Sequence, residues 1–158
     1  RLRVPADTSF ERVIRSCAEA TEDRDATWIN GSIEESFIEM HRRGMAHSVE
    51  CWDGERLAGG LYGLAMGRAF FGESMFSRAT DASKVALAWL VARMRVGGYM
   101  LLDCQFMTDH LASLGAIEIS QSEYLDRLDE ALAGTGQVSI VASPSASPGS
   151  STSGSGAG

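Results

Sequence analysis

The chain has 158 residues, of which 44% are hydrophobic, and a formal net charge of −7. A chain of this length can build one domain with a core but not two large ones. The acidic balance argues against a protein that holds nucleic acid mainly by neutralising phosphates, and the absence of a long apolar run or a signal-peptide pattern argues against a membrane protein.

The first third of the chain predicts one strand and two helices. Residues 2–4 form a short extended run, and the capping-box pattern Thr8-x-x-Glu11 begins a helix whose apolar face is Phe10, Val13, Ile14 and Cys17. A second capping box, Ser32-x-x-Glu35, predicts a helix with one side made of Ile33, Phe37, Met40 and His41. Gly44 supplies the left-handed stop of this second helix.

A meander of three strands is predicted next. Residues 47–52 and 56–66 are extended segments joined through Asp53-Gly54, a dipeptide that favours a tight type I′ hairpin. Glycines weaken the second segment as a plain strand and indicate a bulge or a close approach by a ligand or another backbone; they are Gly59, Gly60, Gly63 and Gly67. Residues 69–72 form the third strand, so the segment 72–78 is expected at a strand end.

The segment 72–78 places a carboxylate and a hydroxyl among bulky apolar residues, directly after Phe70 and Phe71. An ionised carboxylate in such a setting is costly unless it is paired or hydrogen-bonded. Glu73 therefore indicates either a structural network or a binding pocket.

A long helix and a further strand follow. Thr80 or Asp81 caps the helix, Gly97-Gly98 ends it, and one of its faces carries Leu87, Leu90, Val91 and Met94. Residues 99–106 form the strand, and its alternation puts Asp103 and Gln105 on the same face. Because two residues along a strand span roughly 6.6 Å, one small substrate can touch both side chains.

The remaining elements complete an α+β domain. They are a short helix over 108–114, a small strand over 117–119 and an amphipathic helix through Tyr124, Leu125 and Leu128. This order predicts a mixed, mostly antiparallel sheet with flanking helices over residues 1–132. Residues 133–158 are rich in Gly, Ser, Ala and Pro and are expected to be a disordered tail.

The metal-binding residue types show no ligand spacing. Cysteines occur at 17, 51 and 104 without a CxxC pattern, and we interpret them as reduced packing residues of a cytosolic protein. The histidines at 41, 47 and 110 also lack metal-ligand spacing. We expect neither a metal site nor a catalytic histidine.

Seven segments, in the same order along about the first 128 residues, resemble the leucyl/phenylalanyl-tRNA-protein transferases. They are TWI at 27–29, AHSVE at 46–50, GGLYG at 59–63, GESMFSR at 72–78, ASK at 82–84, LDCQ at 102–105 and HLASLGA at 110–116. The small N-terminal domain of that family has no counterpart here, and the chain begins at Arg1 rather than at a methionine. We therefore expect a fragment.

The resemblance implies a GNAT-type acyltransferase fold and a bacterial, cytoplasmic enzyme. Such an enzyme moves leucine or phenylalanine from aminoacyl-tRNA to the N-terminal Arg or Lys of an acceptor protein, which is thereby marked for degradation. The implied partners are the 3′ end of aminoacyl-tRNA and the acceptor protein, without a membrane and without a cofactor beyond the tRNA donor. Nothing in the sequence demands a dimer, and we expect a monomer.

The resemblance also implies the site residues. Asp103 and Gln105 are the relay that orients the attacking amine and takes its proton, and Glu73 helps to hold substrate amino groups. The aminoacyl side chain is expected to contact Phe70, Met75, Leu87 and Leu102, with Ser77 at the polar edge and Leu61 and Leu90 completing the wall. Trp28 would stack on the terminal adenosine.

Each of these residues has a simpler interpretation. Asp103 and Gln105 can bond neighbouring loop amides, Glu73 can pair with Arg78, and the apolar set can be plain core. Two alternative functions also remain, an acetyl-CoA-dependent N-acetyltransferase and a non-catalytic binder of peptide N-termini. The first normally needs a glycine-rich pyrophosphate loop, and residues 76–83 contain no glycine.

Overall fold

The computed structural model describes residues 1–20, 27–104, 112–113 and 116–134, with residues 27–30 described by their backbone alone. Gln105, most of the predicted helix over 108–114 and nearly all of the predicted tail lie outside these residues. The elements in chain order are β1 (Leu2–Arg3), α1 (Phe10–Ala20), α2 (Thr27–Arg42), β2 (Ala46–Asp53), β3 (Arg56–Met66), β4 (Ala69–Ser77), α3 (Ala82–Val96), β5 (Leu101–Cys104) and α4 (Gln121–Ala133).

The strands form one five-stranded sheet in the order β1-β2-β3-β4-β5. The first four strands are antiparallel neighbours, whereas β5 runs parallel to β4. A parallel pair needs a crossover connection, and α3 provides it. The predicted α+β fold with a mostly antiparallel sheet is therefore confirmed.

Both faces of the sheet are covered by helices. On one face α3 packs against a buried cluster made of Ala6, Val49, Leu61, Phe70, Ala86, Leu87, Leu90 and Met94. On the other face α1 contributes to a second cluster, which contains Phe10, Val13, Ile14, Cys17, Tyr62 and Phe76 among others. The members on α1 and on α3 recur at helical spacing in the sequence because each set lies on the buried face of its helix. None of the helices in the described ranges is long and apolar enough to cross a membrane.

The β2–β3 hairpin forms as predicted, but its turn is displaced by one residue. Asp53 pairs with Arg56, so the two central turn residues are Gly54 and Glu55. Gly54 has φ 61°, whereas Glu55 has no positive φ. A glycine at the first position followed by an ordinary residue is the pattern of a type II′ turn, so the expected type I′ turn is wrong.

β4 is longer than predicted and contains a bulge. It runs to Ser77, so residues 72–77 lie within the strand and only Arg78 follows its end. Tyr62 pairs with Ser74 and Gly63 with Gly72, which leaves Glu73 as an extra residue without a partner on β3. The bulge explains why Phe70 and Met75, five residues apart, both pack against the α3 side of the sheet.

Several predicted boundaries are wrong. Helix α1 begins after Ser9, and the Thr8 hydroxyl donates to Glu50 rather than capping the helix. Helix α2 begins at Thr27, so the pattern at 32–35 lies inside it. Residues 117–119 do not form a strand. The start of α1 depends on the contact of Thr8 with β2, and the pattern at 32–35 belongs to a longer helix. A local pattern shows neither of these.

Candidate functional site

Glu73 and Asp103 lie on adjacent strands at the same end of the sheet. In the parallel β4–β5 pair, Phe71 is opposite Asp103 and Gly72 is opposite Cys104, so Glu73 follows directly after the last pair. Burial raises the pKa of the Glu73 carboxyl, and the negative charge of Asp103 raises it further. The two carboxylates are therefore close enough to repel each other.

Asp103 lies on the face of β5 away from α3, because its neighbours Leu102 and Cys104 pack against the α3 cluster. The hydroxyl of Tyr124 on α4 donates a hydrogen bond of 2.7 Å to Oδ2 of Asp103. The predicted alternative, in which Asp103 bonds a neighbouring loop amide, is not what the described residues show. Gln105, the second member of the predicted relay, lies outside them.

A groove of about 770 Å³ opens beside β5, between α3 and α4. Asp103 and Tyr124 contribute to its wall together with apolar and arginine side chains, among them Leu87, Val91, Arg95, Leu102 and Arg127. A groove of this size can hold an amino acid or a short peptide end. It therefore gives a ligand access to the Asp103 side of the site.

Burial divides the predicted aminoacyl pocket into two groups. All six of its apolar residues belong to or pack against the same α3-side cluster. Leu61, Phe70, Leu87 and Leu90 are at most 2% exposed, whereas Met75 and Leu102 are only partly buried. A ligand can reach the second group without displacing core side chains. The assignment of all six to a substrate pocket stays a prediction.

Ser77 lies at the end of β4 and supports the start of α3. Its hydroxyl donates to the carbonyl of Ala79 at 2.7 Å, and its oxygen lies 3.4 Å from the amide of Ser83, which donates to it. The sequence predicts Thr80 or Asp81 as the cap of α3. Asp81 does occupy the N-cap position, but it has φ 62° and its side chain makes no cap hydrogen bond. Ser77 takes over that part of the capping.

Arg78, the alternative partner predicted for Glu73, bonds other residues. The guanidinium of Arg78 bonds Glu19 at 3.0 Å and Ser16 at 3.1 Å on α1, and it lies over the ring of Phe76. A pair between Glu73 and Arg78 is therefore not formed. In the described part of the chain, Glu73 has no ion-pair partner.

A second polar cluster lies between β2, the segment before α1, and α3. Glu50 is fully buried and accepts from the Thr8 hydroxyl and the Ser9 amide, and burial raises its pKa. Asp7 accepts from the Ser48 amide and pairs with Nδ1 of His47 at 2.8 Å. These contacts fasten the start of the chain to the sheet.

Tyr124 is a functional candidate that the sequence pattern does not indicate. Its phenol interrupts the leucine stripe of the last helix. Because a buried or half-buried tyrosine hydroxyl usually has a hydrogen-bond partner, this interruption is the one feature of the sequence that indicates such a contact. The Trp28 side chain lies outside the described residues, so its stacking role stays a prediction. Among the described side chains, no three His, Cys, Asp or Glu residues converge into a group that could hold a metal ion.

Comparison with solved structures identifies the fold. An acetyltransferase from Clostridium acetobutylicum solved with acetyl-CoA superposes with a TM-score of 0.62 at 6% identity, over 77% of this chain and 93% of that one. The ribosomal-protein-alanine N-acetyltransferase of Brucella melitensis gives a TM-score of 0.53 at 11% identity, over 76% and 94%. At such low identity the likeness shows the GNAT-type fold alone, and it confirms that prediction.

Sequence relatives are far closer. The chain is 61% identical over 132 residues to the leucyl/phenylalanyl-tRNA–protein transferase of Rhizorhabdus wittichii, covering 84% of this chain and 53% of the relative. It is 61% identical over 132 residues to the enzyme of that name from Zymomonas mobilis, covering 84% and 49%. The chain thus spans about half the length of these curated relatives. A family model described as leucyl/phenylalanyl-tRNA protein transferase matches residues 1–129, and the chain belongs to that family.

Proposed function

We propose that the chain carries the catalytic centre of an aminoacyltransferase that moves leucine or phenylalanine from aminoacyl-tRNA to the N-terminal Arg or Lys of an acceptor protein. The product would be marked for degradation in the cytoplasm. Family membership supports the reaction class, and the juxtaposition of Glu73 and Asp103 is the observation that carries the assignment of the site.

The reaction is the aminolysis of an ester. The α-amino nitrogen of the acceptor attacks the aminoacyl carbonyl carbon, a C–N bond forms, the C–O bond to the terminal ribose breaks, and the ribose oxygen gains a proton. An α-amino group has a pKa of about 7.7 to 8.0, so about a tenth of it is already nucleophilic at pH 7. Positioning then accounts for much of the rate, and one group must take the amine proton.

Asp103 suits the role of proton acceptor, with Gln105 as its predicted partner in the relay. Asp103 lines the groove, its carboxylate receives one hydrogen bond from Tyr124, and a carboxylate has a second oxygen that can accept from the amine. Placing the amine against this carboxylate orients the nitrogen lone pair toward the carbonyl carbon. Asp103 and the donor ester would thus meet at the end of β5.

The pair of carboxylates suits a cationic acceptor. Glu73 and Asp103 lie close together, and neither forms an ion pair with an arginine, lysine or histidine among the described residues. An acceptor that begins with Arg or Lys brings an α-ammonium group and a charged side chain. Its binding would relieve the repulsion between the two carboxylates.

An apolar donor side chain fits the neighbouring surface. Met75 and Leu102 are partly buried on the α3 side of the sheet, beside the fully buried core residues. An apolar pocket discriminates by only about 1 to 3 kcal/mol per methylene, so leucine and phenylalanine can share it, and a methionine wall adapts to both. Trp28 would hold the terminal adenosine by stacking.

Acetyl-CoA is a poorer donor for this site. In an acetyltransferase of this fold the pyrophosphate needs backbone amides at a helix N-terminus. Here the start of α3 carries the carboxylate of Asp81, whose Oδ1 is 3.3 Å from Lys84 Nζ, and its amide at Ser83 is directed to Ser77. A carboxylate at that position disfavours a second anion.

Incubation with phenylalanyl-tRNA and a peptide that begins with arginine tests the proposal. We expect the peptide mass to increase by one phenylalanine residue, whereas a peptide of the same sequence that begins with alanine should stay unmodified. Asp103→Asn should lower the rate by about a hundredfold or more, as for loss of an acid–base group. Acetylation of the peptide from acetyl-CoA, or no extension at all, would overturn the assignment.

A further inference from the structure

The phenol of Tyr124 contacts the proposed proton acceptor directly. Its hydroxyl donates to Oδ2 of Asp103 at 2.7 Å, across 21 residues of sequence. A hydrogen bond to an ionised carboxylate is stronger than one between neutral groups and fixes its orientation. Within the described part of the chain, the Oδ1 atom of Asp103 receives no hydrogen bond.

Helix α4 fixes the position of this phenol. At its start the Ser120 hydroxyl oxygen accepts from the Glu123 amide at 3.2 Å, and the Ser120 carbonyl accepts from the Tyr124 amide at 2.9 Å. At its end the carbonyl of the fully buried Ala131 accepts from the Arg68 amide, in the turn between β3 and β4, at 2.7 Å. The start of α4 is therefore capped within the helix, and its end is held to the turn between β3 and β4.

We propose that Tyr124 is a positioning residue for the transfer reaction, which holds Oδ2 of Asp103 so that Oδ1 faces the amine of the acceptor. The inference rests on the proposed function, since it assigns Tyr124 a task in that reaction. Without the phenol, the carboxylate is free to rotate about its χ angles, and fewer encounters place an oxygen against the amine.

Tyr124 is suited to remain a donor. Its hydrogen bond to Asp103 raises the pKa of the phenol above its ordinary value of 10, and partial burial and the negative charge of Asp103 act in the same direction. The hydroxyl therefore keeps its proton near neutral pH, where about a tenth of the acceptor amine is nucleophilic. Tyr124 does not itself take up or release the amine proton.

A double-mutant cycle on the full chain tests the proposal. With phenylalanyl-tRNA and the arginine-initiated peptide, Tyr124→Phe should lower kcat by about 10- to 100-fold and leave KM for the peptide nearly unchanged. In the Asp103→Asn background, the added Tyr124→Phe change should alter kcat by less than about twofold, because the group that it orients is already lost.

Ser120→Ala separates positioning from general support of α4. This variant removes the hydroxyl that accepts from the Glu123 amide, but it keeps the Ser120 carbonyl that accepts from the Tyr124 amide and the contact between Ala131 and Arg68. We therefore expect its kcat to stay within about twofold of the unmodified chain. Equal losses in Ser120→Ala and Tyr124→Phe, or a full loss for Tyr124→Phe in the Asp103→Asn background, would show a merely structural role and overturn the proposal.

The contact is also observable without the reaction. In a tyrosine carbon NMR titration, the pKa of Tyr124 should be lower in Asp103→Asn than in the unmodified chain, because the charged acceptor is gone. If the pKa of Tyr124 shifts in Asp103→Asn but the unmodified chain does not extend the peptide, the proposed function is overturned, and the positioning role with it. If the pKa shifts and the unmodified chain is active, but Tyr124→Phe and Asp103→Asn lower kcat independently of each other, the positioning role alone is overturned. An unmoved titration would contradict the contact.

Discussion

Glu50 on β2 accepts a hydrogen bond of 2.6 Å from the backbone amide of Ser9, so a buried carboxylate of the sheet holds the start of α1. A negative charge at the N-terminus of a helix is favourable because the helix dipole is positive there. The same burial penalises the charged form and raises the pKa of Glu50. The fold therefore carries a carboxyl group that is easier to bury when protonated.

Glu50→Gln should make stability less dependent on pH. Because the folded-state pKa of Glu50 is raised above its ordinary value of 4.5, its contribution is greatest below about pH 4.5 and is lost as the pH rises through the raised pKa. Glutamine keeps an acceptor oxygen and does not ionise. Urea unfolding at several pH values should show a smaller fall between pH 4.5 and 8 in the variant, by about 1.4 kcal/mol for each unit of pKa elevation.

Glu50→Ala provides the control. It also removes the charge, but it leaves the Thr8 hydroxyl and the Ser9 amide without their acceptor, so it should be less stable than Glu50→Gln by about 1 to 3 kcal/mol at all pH values. Equal pH slopes in Glu50→Gln and the unmodified chain would contradict the expectation.

Binding of the arginine-initiated peptide should weaken as the pH falls. Burial and then the charge of Asp103 raise the pKa of Glu73, so acidification converts Glu73 to its neutral form at a higher pH than for an ordinary glutamate. Below that raised pKa, the attraction for the cationic peptide is reduced. KM for the peptide, measured from pH 8 down to pH 5, should therefore rise at the low end.

Glu73→Gln is the matched variant, because it is neutral at every pH. Titration of the peptide amine affects both proteins equally, so the KM of the variant divided by the KM of the unmodified chain depends on Glu73 alone. We expect this ratio to be largest near pH 8 and to approach one at low pH. A ratio that does not change with pH would mean that Glu73 does not contact the peptide charge.

Leu90→Ala and Met75→Ala should differ in their effect on stability and on donor choice. Leu90 is 1% exposed in the α3-side cluster, and its truncation should cost about 2 to 5 kcal/mol in the free energy of unfolding. Met75 is partly buried, so its truncation should cost less and instead change the ratio of leucine to phenylalanine transfer. Urea denaturation and competition between the two charged tRNAs measure both effects.

The opposite pattern would reverse these assignments. If Leu90→Ala changed the donor ratio at little cost in stability, Leu90 would be a pocket wall rather than a core residue.

Gly63→Ala should destabilise the sheet strongly. A Cβ at this position would clash with the carbonyl oxygen of Phe71 and lie 2.7 Å from the ring of Phe70, and the first of these is backbone that cannot move aside. We expect a loss of about 1 to 3 kcal/mol or more. Thermal unfolding monitored by circular dichroism measures it.

Gly31→Ala is the matched control. Gly31 lies in α2, and a Cβ there meets nothing within 4 Å. An alanine in an exposed helix interior should raise stability by about 0.5 to 1 kcal/mol. Equal effects of the two substitutions would mean that the crowding at Gly63 is relieved by movement of the strand.

Local patterns predicted most elements because their causes are local. The spacing of Val13, Ile14 and Cys17 gave α1, and the Gly97-Gly98 pair gave the end of α3. The start of α1 was wrong because Thr8 finds its partner on β2, 42 residues away. The Tyr124 contact was missed for the same reason, since its partner lies on β5 and sequence spacing does not show which strand a helix will face.

The bulge in β4, in contrast, cannot be predicted from the local sequence pattern. Alternation alone would put Phe70 and Met75 on opposite faces, and only the pairing with β3 reveals the extra residue. The glycines of β3 indicated a bulge, and β3 does contain one, since Cys51 pairs with Gly59 and Trp52 with Leu57, which leaves Ala58 as an extra residue. The second insertion, Glu73, is on the neighbouring strand. A period-two pattern does not show where it is interrupted when pairs of adjacent apolar residues, here Phe70-Phe71 and Met75-Phe76, lie on both sides of the interruption.

Glu73 is thus an insertion as far as the sheet is concerned. Deleting it would leave Phe70 and Met75 four residues apart in an unbroken strand, on the face where they already pack, so the sheet could close without it. The acidic side chain occupies a position that pairing and core packing do not use. Chemistry at this position can therefore change, or be lost, without a corresponding change in the architecture that holds it.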